Sequence, residues 1–127
     1  MESPHKILLV EDDPFLSSIM KNRLQKDGFE VNVAKDGDEA LASIRLAKPD
    51  LVLLDLILPK KSGFELMEEI RNDPKTQAKE LPIIIISNLG QPEDVSRGHD
   101  LGAAKYFVKA KTSIDDLVQN IKDFFKK

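Results

Sequence analysis

Four short stretches of this chain carry side chains able to do chemistry. "EDD" supplies Glu11, Asp12 and Asp13, and the apolar run "LVLLDLILP" (residues 51–59) holds Asp55. Ser87 and Asn88 follow "PIIII", and Lys109 follows "KYFV". Asp55 is the odd member, because a lone carboxylate in an apolar run is costly to bury unless something pairs with it. Brought together, four carboxylates, a hydroxyl and an ammonium have one consistent use. Crowded carboxylates repel unless a divalent cation sits among them, and oxygen ligands with room for waters suit Mg2+. An Mg2+-bound aspartate beside a lysine and a hydroxyl fits phosphoryl transfer. The cations neutralise the equatorial oxygens, Ser87 donates to one of them, and Asp55 attacks as the nucleophile.

Those stretches meet only if the fold brings them to one place. "KILLV" (residues 6–10) is a continuous apolar run, followed by a helical stripe of Leu16, Ile19, Met20 and Leu24 that Gly28 closes. "EVNVA" (30–34) alternates as an edge strand should. Ala40, Leu41, Ile44 and Ala47 form the next stripe, ended by Pro49. "LVLLD" is apolar on both faces and reads as a central strand, and "SGFE" (62–65) is a capping-box pattern for a helix that turns Met67 and Ile70 inward. Residues 72–80 read as a polar surface loop and "PIIII" (82–86) as a second buried strand. Residues 94–101 make a weak helix, with Gly98 inside it and few apolar anchors, and such a segment is loosely held. "KYFVK" (105–109) is the last strand. Ile114, Leu117, Val118, Ile121, Phe124 and Phe125 line the last helix, which Thr112 or Ser113 caps.

Alternating strands and crossover helices imply an α/β fold, a doubly wound (βα)5 three-layer sandwich with a parallel sheet. Continuous runs belong in the centre and the alternating or short strands at the edges, giving the flavodoxin-like order 2-1-3-4-5. In that topology the ligand crevice lies beyond the carboxyl ends of the strands, where Glu11, Asp12, Asp13, Asp55, Ser87, Asn88 and Lys109 all fall.

At 127 residues, 41% hydrophobic and 32% charged, the chain suits one domain spanning residues 1–127. It has no cysteine, which excludes disulfides and cysteine-ligated metals. A net charge of −3 argues against a nucleic-acid-binding face. No apolar run reaches the ~18 residues that span a bilayer. "MESPHK" lacks a signal peptide's apolar core, so a cytoplasmic location is the expectation.

Blander readings stand beside these. Asp55 alone could cap a turn, "EDDP" could be a helix N-cap cluster with Asp13 serving only that end, and Ser87 could cap the following turn. Lys109 alone would be a solvated strand-end charge. Tyr106 reads equally as a packed edge-strand aromatic or as a moving part. His5 and His99 show no ligand spacing. Phe124 in "KDFFKK" is expected to pack on the sheet while the lysines complement the helix dipole.

Four motifs in order, "LLVEDDP", "LVLLDLILPKKSG", "IIIISN" and "YFVK", resemble the receiver domain of two-component response regulators, the stand-alone chemotaxis-regulator type, over essentially the whole chain. The resemblance implies that Asp55 accepts a phosphoryl group from a histidine of a kinase or phosphotransfer protein. It implies an Mg2+ site built from Glu11, Asp12, Asp55 and the Ile57 backbone carbonyl. Ser87, the Asn88 backbone amide and Lys109 would bind the phosphoryl group, with Ser87 and Tyr106 as switch residues. Such a protein is a signalling switch rather than an enzyme. Phosphorylation would draw Ser87 and Lys109 inward and move the following loops. Helix four, strand five and helix five would form the face that a downstream protein reads, with no direct nucleic-acid contact and no membrane insertion.

The sequence departs from the receiver pattern in three places. Ala110 follows the lysine where receivers usually carry a cis proline; a non-proline cis bond costs about 3 kcal/mol, which leaves the state of the Lys109–Ala110 bond and the placement of its loop open. Ser87 replaces the commoner threonine. Asn88 stands where a small residue is usual and is expected to narrow the pocket's mouth. Ile57 and Leu89, the positions that flank the hydrolytic water in receivers, cannot hydrogen-bond through their side chains, which predicts slow autodephosphorylation. The chain ends about where the fold ends, so output by protein contact, without an output domain, is expected; the alternatives are a receiver excised from a larger regulator and a degenerate receiver acting as a constitutive binding module. A haloacid-dehalogenase-type phosphatase would need an aspartate at Ile57, and a flavodoxin-like carrier would not place "EDDP" against a phosphate.

Overall fold

The computed structural model describes residues 4–74 and 80–126. The middle of the polar loop expected over residues 72–80 therefore lies outside the described residues. The elements run β1 (Lys6–Val10), α1 (Pro14–Lys26), β2 (Glu30–Ala34), α2 (Gly37–Ala47), β3 (Leu51–Leu54), α3 (Gly63–Asn72), β4 (Ile83–Ser87), α4 (Pro92–Asp100), β5 (Lys105–Val108) and α5 (Ile114–Phe124). All strand pairs are parallel and the sheet order is β2-β1-β3-β4-β5, as the alternation of buried runs predicts.

The continuous apolar runs sit in the middle because both faces of the sheet are covered. Leu8, Val10, Val52, Leu54, Ile83 and Ile85 face α2 and α3, where Leu41, Ile44, Phe64, Met67 and Ile70 meet them. Ile7, Leu9, Leu51, Leu53, Ile84 and Ile86 face α1 and α5, packing with Met20, Leu24, Leu117, Val118 and Ile121. The side-chain period of two divides each strand between these layers. At the edges, β2 buries Val31 and Ala34 but exposes Glu30 and Asn32, and every residue of β5 is half-buried. No helix among the described residues is long and apolar enough to cross a membrane.

Helix ends follow their caps. Asp13 Oδ1 accepts from the N–H groups of Phe15 and Leu16 at 2.9 and 3.3 Å, so Asp13 serves α1. Asp36, Ser62 and Ser113 accept from Glu39, Glu65 and Asp116 in the same way for α2, α3 and α5; of the two hydroxyls offered for α5, Ser113 is the cap. Gly28, just past α1, has φ +93°.

Several boundaries differ from expectation by a residue or two. Helix α4 starts at Pro92 rather than Asp94, because Pro92 pre-sets the first helical turn and the Asp94 carboxylate accepts the Gln91 N–H at 3.2 Å. Strand β4 runs on to include Ser87, in register with Val108. Strand β5 stops at Val108, and Lys109 opens a 3-10 turn, Lys109–Lys111.

Candidate functional site

Register decides the site. Val10 pairs with Leu54, so Glu11 and Asp55 leave the sheet at the same level. Their backbones stay tied to it, with Asp55 N–H to Val10 carbonyl and Glu11 N–H to Ala34 carbonyl, both at 3.0 Å. The side chains of Glu11 and Asp55 are buried, at 4% and 6% exposure, whereas Asp12 is exposed. Lys109 Nζ lies 2.7 Å from Glu11 Oε1 and 2.8 Å from Asp55 Oδ2, an ammonium shared by two buried carboxylates. One carboxylate oxygen from each of Glu11, Asp12 and Asp55 lies within 4.8 Å of the others.

The charges in this cluster act on one another. Burial pushes the Glu11 carboxyl above its usual range, with the Asp55 charge adding to the rise and bonds from Lys109 and the Asp13 N–H opposing it. Burial also works against the Lys109 charge, but its bonds to Asp55 and Glu11 outweigh that and hold the ammonium above its ordinary range. Three carboxylates against one ammonium leave two negative charges when all are ionised. The all-oxygen donor set, with room left for waters, suits Mg2+.

Of the predicted residues, Glu11, Asp12, Asp55 and Lys109 come together. Asp13 does not join them through its carboxylate; it caps α1 and gives its N–H to Glu11 Oε2 at 3.2 Å. Ser87 is fully buried at the end of β4, and its Oγ accepts the Leu89 N–H at 3.3 Å. Ile57 donates its N–H to Asp55 Oδ1 at 3.1 Å, while its side chain is 55% exposed. The Asn88 carboxamide oxygen accepts the Ala110 N–H at 3.0 Å. No peptide bond among the described residues is cis, so Lys109–Ala110 is trans. Lys109 still reaches both acids. Tyr106 donates its hydroxyl to the Leu89 carbonyl, and burial, then the charges of Asp94 and Asp55, raise its pKa.

Sequence reasoning missed two supports. A Cβ at Gly63 would stand 2.6 Å from the Asp55 carbonyl oxygen and 2.7 Å from Leu56 Cα, so only glycine lets α3 start against the segment that carries Asp55. The Gly63 N–H to Leu56 carbonyl bond, 2.9 Å, closes that approach. The only hint was the "SG" of the capping pattern. The second support is a web of charges: Lys60 to Asp36 at 3.4 Å, Lys61 to Asp38 at 3.3 Å and Lys61 to Glu69 at 2.6 Å. It ties the loop after β3 to the start of α2, and nothing in the spacing announces it.

The response regulator receiver domain family matches residues 7–122. The DNA-binding dual master transcriptional regulator RpaA of Synechocystis is 36% identical over 104 residues, 82% of this chain and 42% of that protein. The chain spans about two fifths of the length of the first curated relatives it matches. Among solved structures, the non-phosphorylated HemR receiver domain of Leptospira biflexa superposes with TM-score 0.87 at 33% identity, covering 97% of this chain and 95% of that one. The CheY-like response regulator receiver domain protein of Methanospirillum hungatei gives 0.86 at 29% identity, with 96% and 94% covered. The chain belongs to the response regulator receiver domain family. Its class is that of two-component signalling switches, in which phosphorylation and Mg2+ are standard.

Proposed function

We propose that Asp55 accepts a phosphoryl group from a phosphohistidine of a kinase or phosphotransfer protein, and that residues 1–127 act as one receiver unit. The observation that carries this reading is the single ammonium of Lys109 held against both Asp55 and Glu11, with Asp12 completing a three-carboxylate cluster. Glu11, Asp12, Asp55 and the Ile57 carbonyl would hold Mg2+, which when bound offsets negative charge on the phosphoryl oxygens.

The chain's own groups do the rest. An Asp55 oxygen forms the new bond to phosphorus as the bond to the donor nitrogen breaks. Lys109 turns its ammonium from the carboxylates towards the added charge, and Ser87 and the Asn88 N–H supply neutral donors to the remaining oxygens. Ser87 then exchanges its present bond with Leu89 for one to the phosphoryl group, which disturbs the loop that Tyr106 grips through the Leu89 carbonyl. Helix α4 follows readily, since Gly98, against Ile85 and the Tyr106 ring, is its one buried residue. The α4–β5–α5 face is the surface a protein target would read. The net charge of −3 and the acidic rim favour a protein over a nucleic acid as the direct partner of this unit.

Intact-mass measurement after acetyl phosphate and Mg2+ tests the proposal. Wild type gains one phosphoryl mass, and neither Asp55→Asn nor wild type in EDTA gains any. Uptake by Asp55→Asn equal to wild type refutes it.

A further inference from the structure

We infer that Asn88 is a positioning residue for Lys109, acting through the backbone N–H of Ala110. Asn88 is the next residue after Ser87, and Ala110 is the next after Lys109. Their 3.0 Å hydrogen bond therefore joins the β4–α4 loop to the β5–α5 turn at the two points nearest the hydroxyl and the ammonium of the site. The inference rests on the reading of Asp55 as phosphoacceptor, and it adds a residue whose side chain touches none of the reacting groups.

The turn needs such a fastening. It is a three-residue 3-10 turn with no side-chain cap, and its closing bond, Thr112 N–H to the Lys109 carbonyl, is long at 3.4 Å. Short 3-10 turns have poor hydrogen-bond geometry and hold themselves weakly. Strand β5 ahead of it is an edge strand, half-buried throughout. Lys109 nevertheless has to deliver its ammonium to within 2.7 and 2.8 Å of two acids that follow different strands. A bond from the neighbouring loop to the very next residue limits how far the Lys109 backbone can swing. It also makes the Ser87 and Lys109 loops move together, so closure of one on a phosphoryl group carries the other. Ala110 makes this possible because it keeps the N–H that a proline would lack.

The experiment compares four chains: wild type, Asn88→Ala, a chain with lactic acid in place of Ala110, in which an ester oxygen replaces that one N–H, and the two changes combined. Three quantities are followed: hydrogen exchange of the Ala110 amide where it exists, the proton–nitrogen signal of the Lys109 ammonium, and the initial rate of phosphorylation by acetyl phosphate with Mg2+. In Asn88→Ala the Ala110 amide exchanges about fivefold faster, the ratio expected for loss of one modest hydrogen bond. The Lys109 ammonium signal shifts and broadens in both single variants. The phosphorylation rate falls about fivefold in each, with no further fall in the combined chain. Effects that multiply in the combined chain, or an unchanged Lys109 signal in Asn88→Ala, overturn the inference. A wild-type chain that takes up no phosphoryl group refutes the role of Asp55 instead, and Ala110 exchange with the ammonium signal still decides the Asn88 link.

Discussion

Lys109 and Asp55 stand 54 positions apart in the chain, yet the ammonium of one lies 2.8 Å from the carboxylate of the other, and the same nitrogen touches Glu11 at 2.7 Å. A buried carboxylate is tolerable only if something offsets its charge. Here a single cation serves two of them, and an exposed third acid, Asp12, stands near enough to share a second cation.

Removing that ammonium should therefore cost stability in a way a divalent ion repairs. For Lys109→Ala in EDTA, urea unfolding should show a loss of about 2 kcal/mol, below the range for fully buried pairs because Lys109 is partly exposed. With saturating Mg2+ the loss should shrink, and the Mg2+ dissociation constant should fall below that of wild type. An equal loss with and without Mg2+ would contradict the shared-charge account.

Gly63 and Gly28 separate steric from conformational cost. Gly63→Ala forces a methyl into the Asp55–Leu56 backbone and should cost about 2–3 kcal/mol while also slowing phosphorylation. Gly28→Ala meets nothing within 4 Å and has only the φ of +93° to contend with, so about 1 kcal/mol and no change at the site are expected. Denaturant titrations and phosphorylation rates on both variants check the contrast.

The lifetime of the phosphorylated state should be long. Ile57 is exposed and Leu89 half-buried against the α3-side core, and neither side chain can orient a water. Ile57→Asn or Leu89→Glu should shorten the half-life by about tenfold or more, a modest share of what a positioned polar group contributes. Following loss of the phosphoryl mass after acetyl phosphate is removed gives the answer. A wild-type half-life of seconds, unmoved by either change, would defeat the idea.

Acid should loosen the start of α2. The Glu39 N–H bond and the Lys60 ammonium hold the Asp36 carboxyl below its ordinary range, although burial opposes them. The unfolded chain then binds more protons in that window, so stability rises with pH across it. Asp36's contribution is complete above the ordinary aspartate range and is lost as pH falls towards the folded value. Asp36→Ala should flatten that part of the stability–pH curve, measured by thermal unfolding between neutral and acid pH.

Much of this molecule is legible in its sequence. Whether "KILLV", "LVLLD" and "PIIII" lie inside a sheet is written in their own side chains, because burial on both faces leaves a continuous apolar run. "EVNVA" is marked as an edge by its alternation, and parallel strands with crossover helices then send Glu11, Asp55, Ser87 and Lys109 to the same end of the sheet. Patterns of this kind are local, and each residue contributes to them whatever its distant neighbours do.

The fold alone decided what depends on register and on loop paths. Which acids Lys109 pairs with, that Asn88 spends its carboxamide on Ala110, and that Gly63 must lack a side chain are all contacts between different segments of the chain. They are set to fractions of an ångström by how Val10 aligns with Leu54 and Ser87 with Val108. Composition and spacing carry no term for those alignments. Helix α4 shows the same limit on a smaller scale, since its start at Pro92 hangs on one carboxylate reaching back to Gln91 rather than on any apolar stripe.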